Sequence, residues 1–281
     1  MEKNIIIGIG AVLVVTAILF LIGGFNKSTG PAVSLQSSSD ITQLASASQS
    51  LYASSPPFNF SFVFSFYNQG QSDLSYPGTF WIEKYGQEFR ANVIARYLVP
   101  NTSASLNTKA ITFFDGKDLS VCRQEFYTNS TPVNSTIEST ISAINSRSFL
   151  SCSKFPVPSN ITSFDMAYIF NTIPLIITSV SNTSVGSISP LSVFKGASIQ
   201  FLGSKSMLGY SCYIEKVTSP PNISGGPVSF TYCISAETGL PLSLSVVQNS
   251  SVMLGVNLSS IGTAPSSSSQ ITSAPVNKSY S

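Results

Sequence analysis

The sequence contains no histidine, and only 9% of its 281 residues carry a charge. The first absence removes Ser-His-Asp and Cys-His catalysis, most proton transfer near neutral pH, and the commonest metal ligand. The second leaves a formal charge of +2 with no basic cluster, so nucleic acid has no electrostatic footing here. No glycine-rich phosphate loop and no Gly-x-Ser-x-Gly elbow occurs. Ser-x-x-Lys occurs twice, at Ser151–Lys154 and Ser192–Lys195, without the companion motifs a serine acyl-enzyme needs. Asp115 and Asp118 offer too few oxygens in register for calcium. The sequence therefore points away from an enzyme, with no catalytic residue, no cofactor-binding residue and no metal site expected.

Polarity is carried by serine, threonine and asparagine. Such a surface stays soluble through hydroxyls and amides, and it tolerates an acidic exterior where carboxylates would be neutral. Serine and threonine make up about a quarter of the chain, which predicts roughly four or five Asn-x-Ser/Thr sequons by chance. Eleven occur, at Asn26, Asn59, Asn101, Asn129, Asn134, Asn160, Asn182, Asn222, Asn249, Asn257 and Asn277. The excess predicts that the bulk of the chain is extracytoplasmic and glycosylated.

The stretch Ile5–Phe25 holds no charged residue. Its length, roughly 32 Å as a helix, matches a hydrocarbon core of about 30 Å. It exceeds the apolar region of a cleaved signal peptide, about 7–15 residues. A single-pass signal anchor in the cell membrane is expected, with cleavage after Gly23-Gly24 as the alternative. Residues 26–39 form a Ser-rich linker, 40–261 the domain, and 262–281 a Ser/Thr-rich tail expected to lack structure.

Four cysteines, Cys122, Cys152, Cys212 and Cys233, suggest two disulfides in an exported domain. Three connectivities are open. Cys122–Cys152 and Cys212–Cys233 are favoured because each closes a loop of about 20–30 residues, worth roughly 3 kcal/mol. Zinc would need closely spaced cysteine pairs, which are absent.

Within 40–261, "DITQLASASQSLYAS" has helical spacing and ends at Pro56-Pro57. Then Phe58, Phe60, Phe62, Phe64 and Phe66 alternate, so one face of a strand carries five rings. Strands are predicted over 78–85, after a turn at Tyr76-Pro77-Gly78, and over 88–99. A hairpin is predicted on Asp115-Gly116, with further strands from Ala197 to Ile261. The connections are too short for parallel crossovers, so the strands form an antiparallel meander. "STIESTISAINSRSFLSC" and "SFDMAYIFNTIPLIITSV" read as helices, the second a buried or groove-covering one. Cys212 and Cys233 flank the loop "SPPNISGGP", where a bulge is expected to reconcile their faces.

This order resembles the LolA-like family of lipoprotein carriers and lipid-binding half-barrels, especially membrane-anchored archaeal proteins of that type. The residues that carry the resemblance are the helix leading into the Phe strand, "FFDGKDLSVC", "GYSCYIEKV" with "FTYCISAETGLPLSL", and the turn Gly239-Leu240-Pro241. The resemblance implies an α+β fold: a curved antiparallel sheet, a half-barrel, whose concave side is covered by helices around an apolar pocket for acyl chains. A tether at Ile5–Phe25 departs from carriers that diffuse between membranes. Holding or sensing a lipid or other apolar ligand near the membrane fits better. Phe58, Phe60, Phe62, Phe64, Phe66, Trp81, Ile169, Phe170 and Ile173 are the candidates for cavity or core. The alternative is a glycosylated structural protein of the cell envelope that binds a protein partner and no small ligand.

Overall fold

The computed structural model describes residues 34–37, 41–68, 71–98, 104–129, 151–157, 163, 197–219, 228–248 and 250–272. Eleven strands make one antiparallel sheet: β1 Phe58–Asn68, β2 Gln71–Tyr85, β3 Glu88–Leu98, β4 Ala104–Phe114, β5 Asp118–Asn129, β6 Ser151–Pro156, β7 Ser198–Met207, β8 Tyr210–Thr218, β9 Val228–Ser235, β10 Pro241–Gln248 and β11 Ser251–Ile261. Their order is β6-β5-β4-β3-β2-β1-β11-β10-β9-β8-β7. Two meanders thus meet where β1 pairs with β11. The helices described are α1, Ile41–Ser54, and the short α2, Ser268–Thr272, so the fold is more sheet than an α+β arrangement. The expected covering helices, 135–152 and 163–180, lie outside the described residues except for 151–152, which begin β6, and Ser163, which is helical and buried and donates to Gln87 Oε1 at 2.7 Å.

The sheet curls. Phe60 on β1 meets Tyr210 on β8, four strands away in the order, with ring centroids 5.0 Å apart. A flat sheet with strands about 4.8 Å apart would separate them by roughly 19 Å. The antiparallel meander expected from the short connections is observed, and its curvature makes a half-barrel-like sheet of the kind the resemblance implies. Its inner face is largely apolar because alternate residues are apolar: Phe58 to Phe64 on β1, Phe80 and Ile82 on β2, Phe89, Ala91 and Val93 on β3, Leu244 and Val246 on β10, and Leu254, Val256 and Leu258 on β11. Register aligns Phe62 with Phe80 and Leu258, Phe64 with Val256, and Val256 with Leu244.

Helix α1 packs Leu44, Ala47 and Tyr52 inward. Its end is closed by hydroxyls: Ser54 Oγ donates to Ser50 O at 3.0 Å and Ser55 Oγ to Tyr52 O at 2.9 Å, just before Pro56-Pro57. The Gly239-Leu240-Pro241 turn seats the helix. Gly239 has φ +69°, and a Cβ there would overlap the Ser48 carbonyl of α1.

Three local expectations are corrected. No turn occurs at Tyr76-Pro77-Gly78, because β2 runs straight through it, pairing Pro77 with Ser65 and Tyr76 with Phe66. The β2–β3 ladder instead stops at Gly78, since the next residue, Pro77, has no N–H to donate. Ser151-Cys152, read as the end of a helix, begins β6. The tail is structured as far as Thr272: Pro265 and Ile271 are buried, and Ser268 Oγ donates to Glu88 on the outer face. One apolar side chain at Ile271 anchors a segment that its composition reads as featureless.

Ile5–Phe25 lies outside the described residues, and among the described residues no helix is long and apolar enough to cross a membrane. Both disulfides join the favoured pairs. Cys122 and Cys152 are directly opposed on β5 and β6. Cys212 faces Ser235, and Cys233 faces Ile214, so the second bond runs diagonally across β8 and β9 on one face. That hairpin needs no bulge.

Candidate ligand-binding face

The rings of β1 touch other rings. Phe58 stacks on Phe60 at 4.6 Å, Phe60 meets Phe62 edge-on at 6.3 Å, and Phe62 stacks on Phe80 at 5.4 Å. Tyr52 of α1 meets Phe58 at 6.3 Å. Phe64 lies over Gly78, where any Cβ would overlap its ring. All four phenylalanines from Phe58 to Phe64 are buried. Under α1 the Phe stripe is thus filled core. Phe66 continues the stripe in register with Tyr76 and Leu254. Ile169, Phe170 and Ile173 lie outside the described residues.

Trp81 is not part of this face. It opposes Ser61 and Asn92 and is only half-buried, with the Arg90 guanidinium 5.2 Å from its ring. Strand parity explains the correction: Phe80 and Ile82 point inward, so the residue between them points out. On this outer face Arg90 pairs with Glu83. Burial pushes the Glu83 carboxyl above its ordinary value, and Arg90 pulls it back. The pair lines a groove of about 520 Å³ together with Thr263, Ala264, Pro265, Ser266 and Gln270 of the tail.

Among the described residues a lysine and a glutamate sit on the inner face, and sequence reasoning passed over both. Lys84, between Phe58 and Phe89 in register, is 1% exposed. Its Nζ donates to Ser55 O at 3.1 Å and Ser55 Oγ at 3.0 Å, and it lies 4.7 Å from the centre of the Tyr52 ring. Lys84 thus ties the C-terminal end of α1 to the sheet. Burial lowers its pKa to about 8.

Glu215 is 0% exposed, and neither carboxylate oxygen accepts a hydrogen bond. It is paired in register with Tyr232 of β9 and Phe201 of β7. The alignment continues through Leu244 and Val256 to Phe64, which places Glu215 on the concave face. Burial pushes its carboxyl up to about 7. The available signal was strand parity, with Tyr213, Glu215 and Val217 on the inward positions of β8. A lone Glu in a Lys-flanked strand otherwise reads as a solvent-facing charge.

Beside Glu215 the packing loosens: Phe201 is 41% exposed and meets Tyr213 edge-on at 6.2 Å, while Leu202 sits unpaired at the register shift between Phe201 and Gly203.

The remaining motifs resolve as structure. Lys154 Nζ lies 2.8 Å from Asp118 and 3.7 Å from Asp115, so the Lys of the first Ser-x-x-Lys is an exposed ion-pair partner. Asp115 Oδ1 accepts from the N–H groups of Lys117 and Asp118, which closes the β4–β5 turn. Ser192–Lys195 lies outside the described residues. Among the sequons, Asn257 is exposed on β11. Asn59 is half-buried, and its Nδ2 donates to Thr263 O at 3.2 Å. Asn129 ends β5, and the other eight lie outside the described residues.

No family model matches the chain. No curated protein matches it either. Several solved structures are similar to it at low identity and low TM-score. One is a beta-barrel-like protein of a domain of unknown function from Brucella abortus, 6% identical, with TM-score 0.38 over 74% of this chain and 97% of that one. Another is MucB in complex with MucA, 12% identical, TM-score 0.35, over 84% of this chain and 60% of that one. A LolA superfamily protein from Nitrosomonas europaea is 10% identical, TM-score 0.28, over 80% and 97%. None of these values assigns the chain to a family.

Proposed function

We propose that residues 40–261 form a non-catalytic extracytoplasmic domain, tethered to the cell membrane by Ile5–Phe25, that holds or senses a lipid or other apolar ligand on the concave face of its sheet. The observation that carries the reading is a mismatch of size. Eleven strands at about 4.8 Å span roughly 50 Å of sheet, whereas α1, with 14 residues, is about 21 Å long. Among the described residues α1, with the buried Leu35 of a short preceding helical turn and the buried Ser163, covers the inner face, and α1 meets the stripe at Phe58. Beside Glu215, Phe201 on β7 stays exposed. An apolar chain laid there would remove that ring from water at about 25 cal/mol per Å².

Native mass spectrometry of the full chain, extracted from the membranes in which it is made, tests this. A lipid-sized adduct that survives detergent exchange is the expected result. A chain that flies bare, and that also fails to take up added fatty alcohol, rules the reading out.

The filled core under α1 favours a second reading, a glycosylated envelope protein with no small ligand. Cross-linking in intact cells would then recover a protein partner at fixed stoichiometry, and the adduct would be absent.

A further inference from the structure

We propose that Glu215 is the polar anchor of the concave face, and that the ligand is an apolar body carrying a hydrogen-bond donor, an amine or a hydroxyl. This rests on the apolar-ligand reading above and adds to it a chemical class.

The argument begins with the two oxygens. Glu215 is fully buried, and neither Oε1 nor Oε2 has a hydrogen-bond partner. A buried acceptor left without a donor costs about 1–3 kcal/mol, and more when charged. A leucine at the same position would pack without that cost. Lys84 shows how the same face satisfies a polar group that serves the fold: two oxygens of Ser55 and the Tyr52 ring surround its ammonium. Nothing comparable is built around Glu215.

Its neighbours are those of a site for an apolar body. Register sets it between Phe201 and Tyr232, with Tyr213 and Val217 two residues to either side on the same strand. Tyr232 stacks on Phe230 at 6.4 Å, and Tyr213 touches Phe201. Tyr232 and Phe230 are buried, whereas the exposed Phe201 and half-buried Tyr213 offer dispersion contact to a chain or ring system, and the carboxyl beside them is buried and unmet. A ligand with a donor at the right depth relieves the cost. A ligand without one leaves it in place, so discrimination against the donor-free analogue is built in. An amine would hold the carboxylate ionised and pair with it; a hydroxyl would donate to it in either protonation state.

The test uses the full chain in lipid nanodiscs and three dodecyl probes with a mid-chain diazirine: primary amine, alcohol and methyl ether. Photolabelling is read by intact mass and peptide mapping. The amine and alcohol are expected to label β7–β9 at least tenfold more than the ether. Glu215→Leu, which removes the buried acceptor and so keeps the fold, is expected to erase the difference while labelling by the ether persists. Glu215→Gln is expected to lose the amine preference and retain part of that for the alcohol. Equal labelling by all three probes in the unaltered chain, or a preference that survives in Glu215→Leu, overturns the anchor and leaves the apolar reading standing. No labelling by any probe overturns both.

Discussion

The centre and one side of the sheet are built differently. At the centre, Phe58, Phe60, Phe62 and Phe80 of β1 and β2 interlock with Tyr52, and the buried Lys84 is bonded to the end of α1. On β7–β9, Phe201 remains exposed beside Glu215, whose buried carboxyl has no hydrogen-bond partner among the described residues. The first region has the composition and contacts of a folding core. The second sets an exposed ring beside a buried carboxyl that nothing described satisfies. The curl of the sheet makes both regions parts of one face.

Truncation should expose this difference most strongly. Phe60→Ala is expected to lower unfolding free energy by about 3–5 kcal/mol, because ring contacts on β1 and with Tyr210 are lost and a cavity remains. Phe201→Ala should cost under about 1 kcal/mol, since its ring is already partly in water. Urea denaturation of both variants measures it, and equal costs would break the comparison.

Next comes pH. The unfolded chain ionises Glu215 near 4.5, while the folded chain keeps the proton to about 7. The folded state binds more protons between those values, so stability falls as pH rises through that window and levels off above it. The expected loss is about 2 kcal/mol, taking about 1.4 kcal/mol per tenfold change in proton affinity and reducing it for solvent screening. Glu215→Gln should flatten the slope. Lys84 works in the other direction and in another window: folded, it loses its proton near 8, and unfolded near 10.5, so its burial raises stability as pH climbs between them. Denaturation curves from pH 4 to 10 separate the two groups.

Smaller still is the surface pair. Lys154 is 60% exposed, so its ion pair is screened by water, and Lys154→Ala should leave the urea midpoint and ligand retention within error of the unaltered chain. A larger loss would mean that the β5–β6 edge contributes to the site.

The smallest effect on stability, and the clearest contrast in access, concerns two sequons on adjacent strands. Asn257 is open, whereas Asn59 Nδ2 bonds Thr263 O and lies against Gly262. An oligosaccharyltransferase acting on the folded chain is expected to modify Asn257 and spare Asn59. Ile271→Asp, which loosens the docked tail, should open Asn59. Peptide mass spectrometry reads both sites.

Much of this was legible in the residues. Alternation marked the inward side of β1, Asp115-Gly116 marked the β4–β5 hairpin, and loop lengths favoured the disulfide pairing that the structure shows. Periodicity is a local property, so it survives without a structure. Trp81 was misplaced because a large aromatic was grouped by type rather than by strand parity. The tail was misread because composition cannot see a single anchor such as Ile271. The turn at Tyr76-Pro77-Gly78 was misread because a Pro-Gly pair also fits where a ladder ends and a ring needs room. Lys84 and Glu215 went unnoticed for the same physical reason: an isolated charge in a strand looks the same whether it faces water or a core.

The sequence by itself determined the antiparallel strands and their alternation and favoured one pairing of the cysteines, because these depend on spacing along the chain. Only the tertiary structure decided which rings fill the core, which strands meet across the curl, and that one buried charge is satisfied while another is not. Those outcomes depend on distances between residues far apart in sequence, such as Phe60 and Tyr210, and such distances are set by how the whole sheet closes.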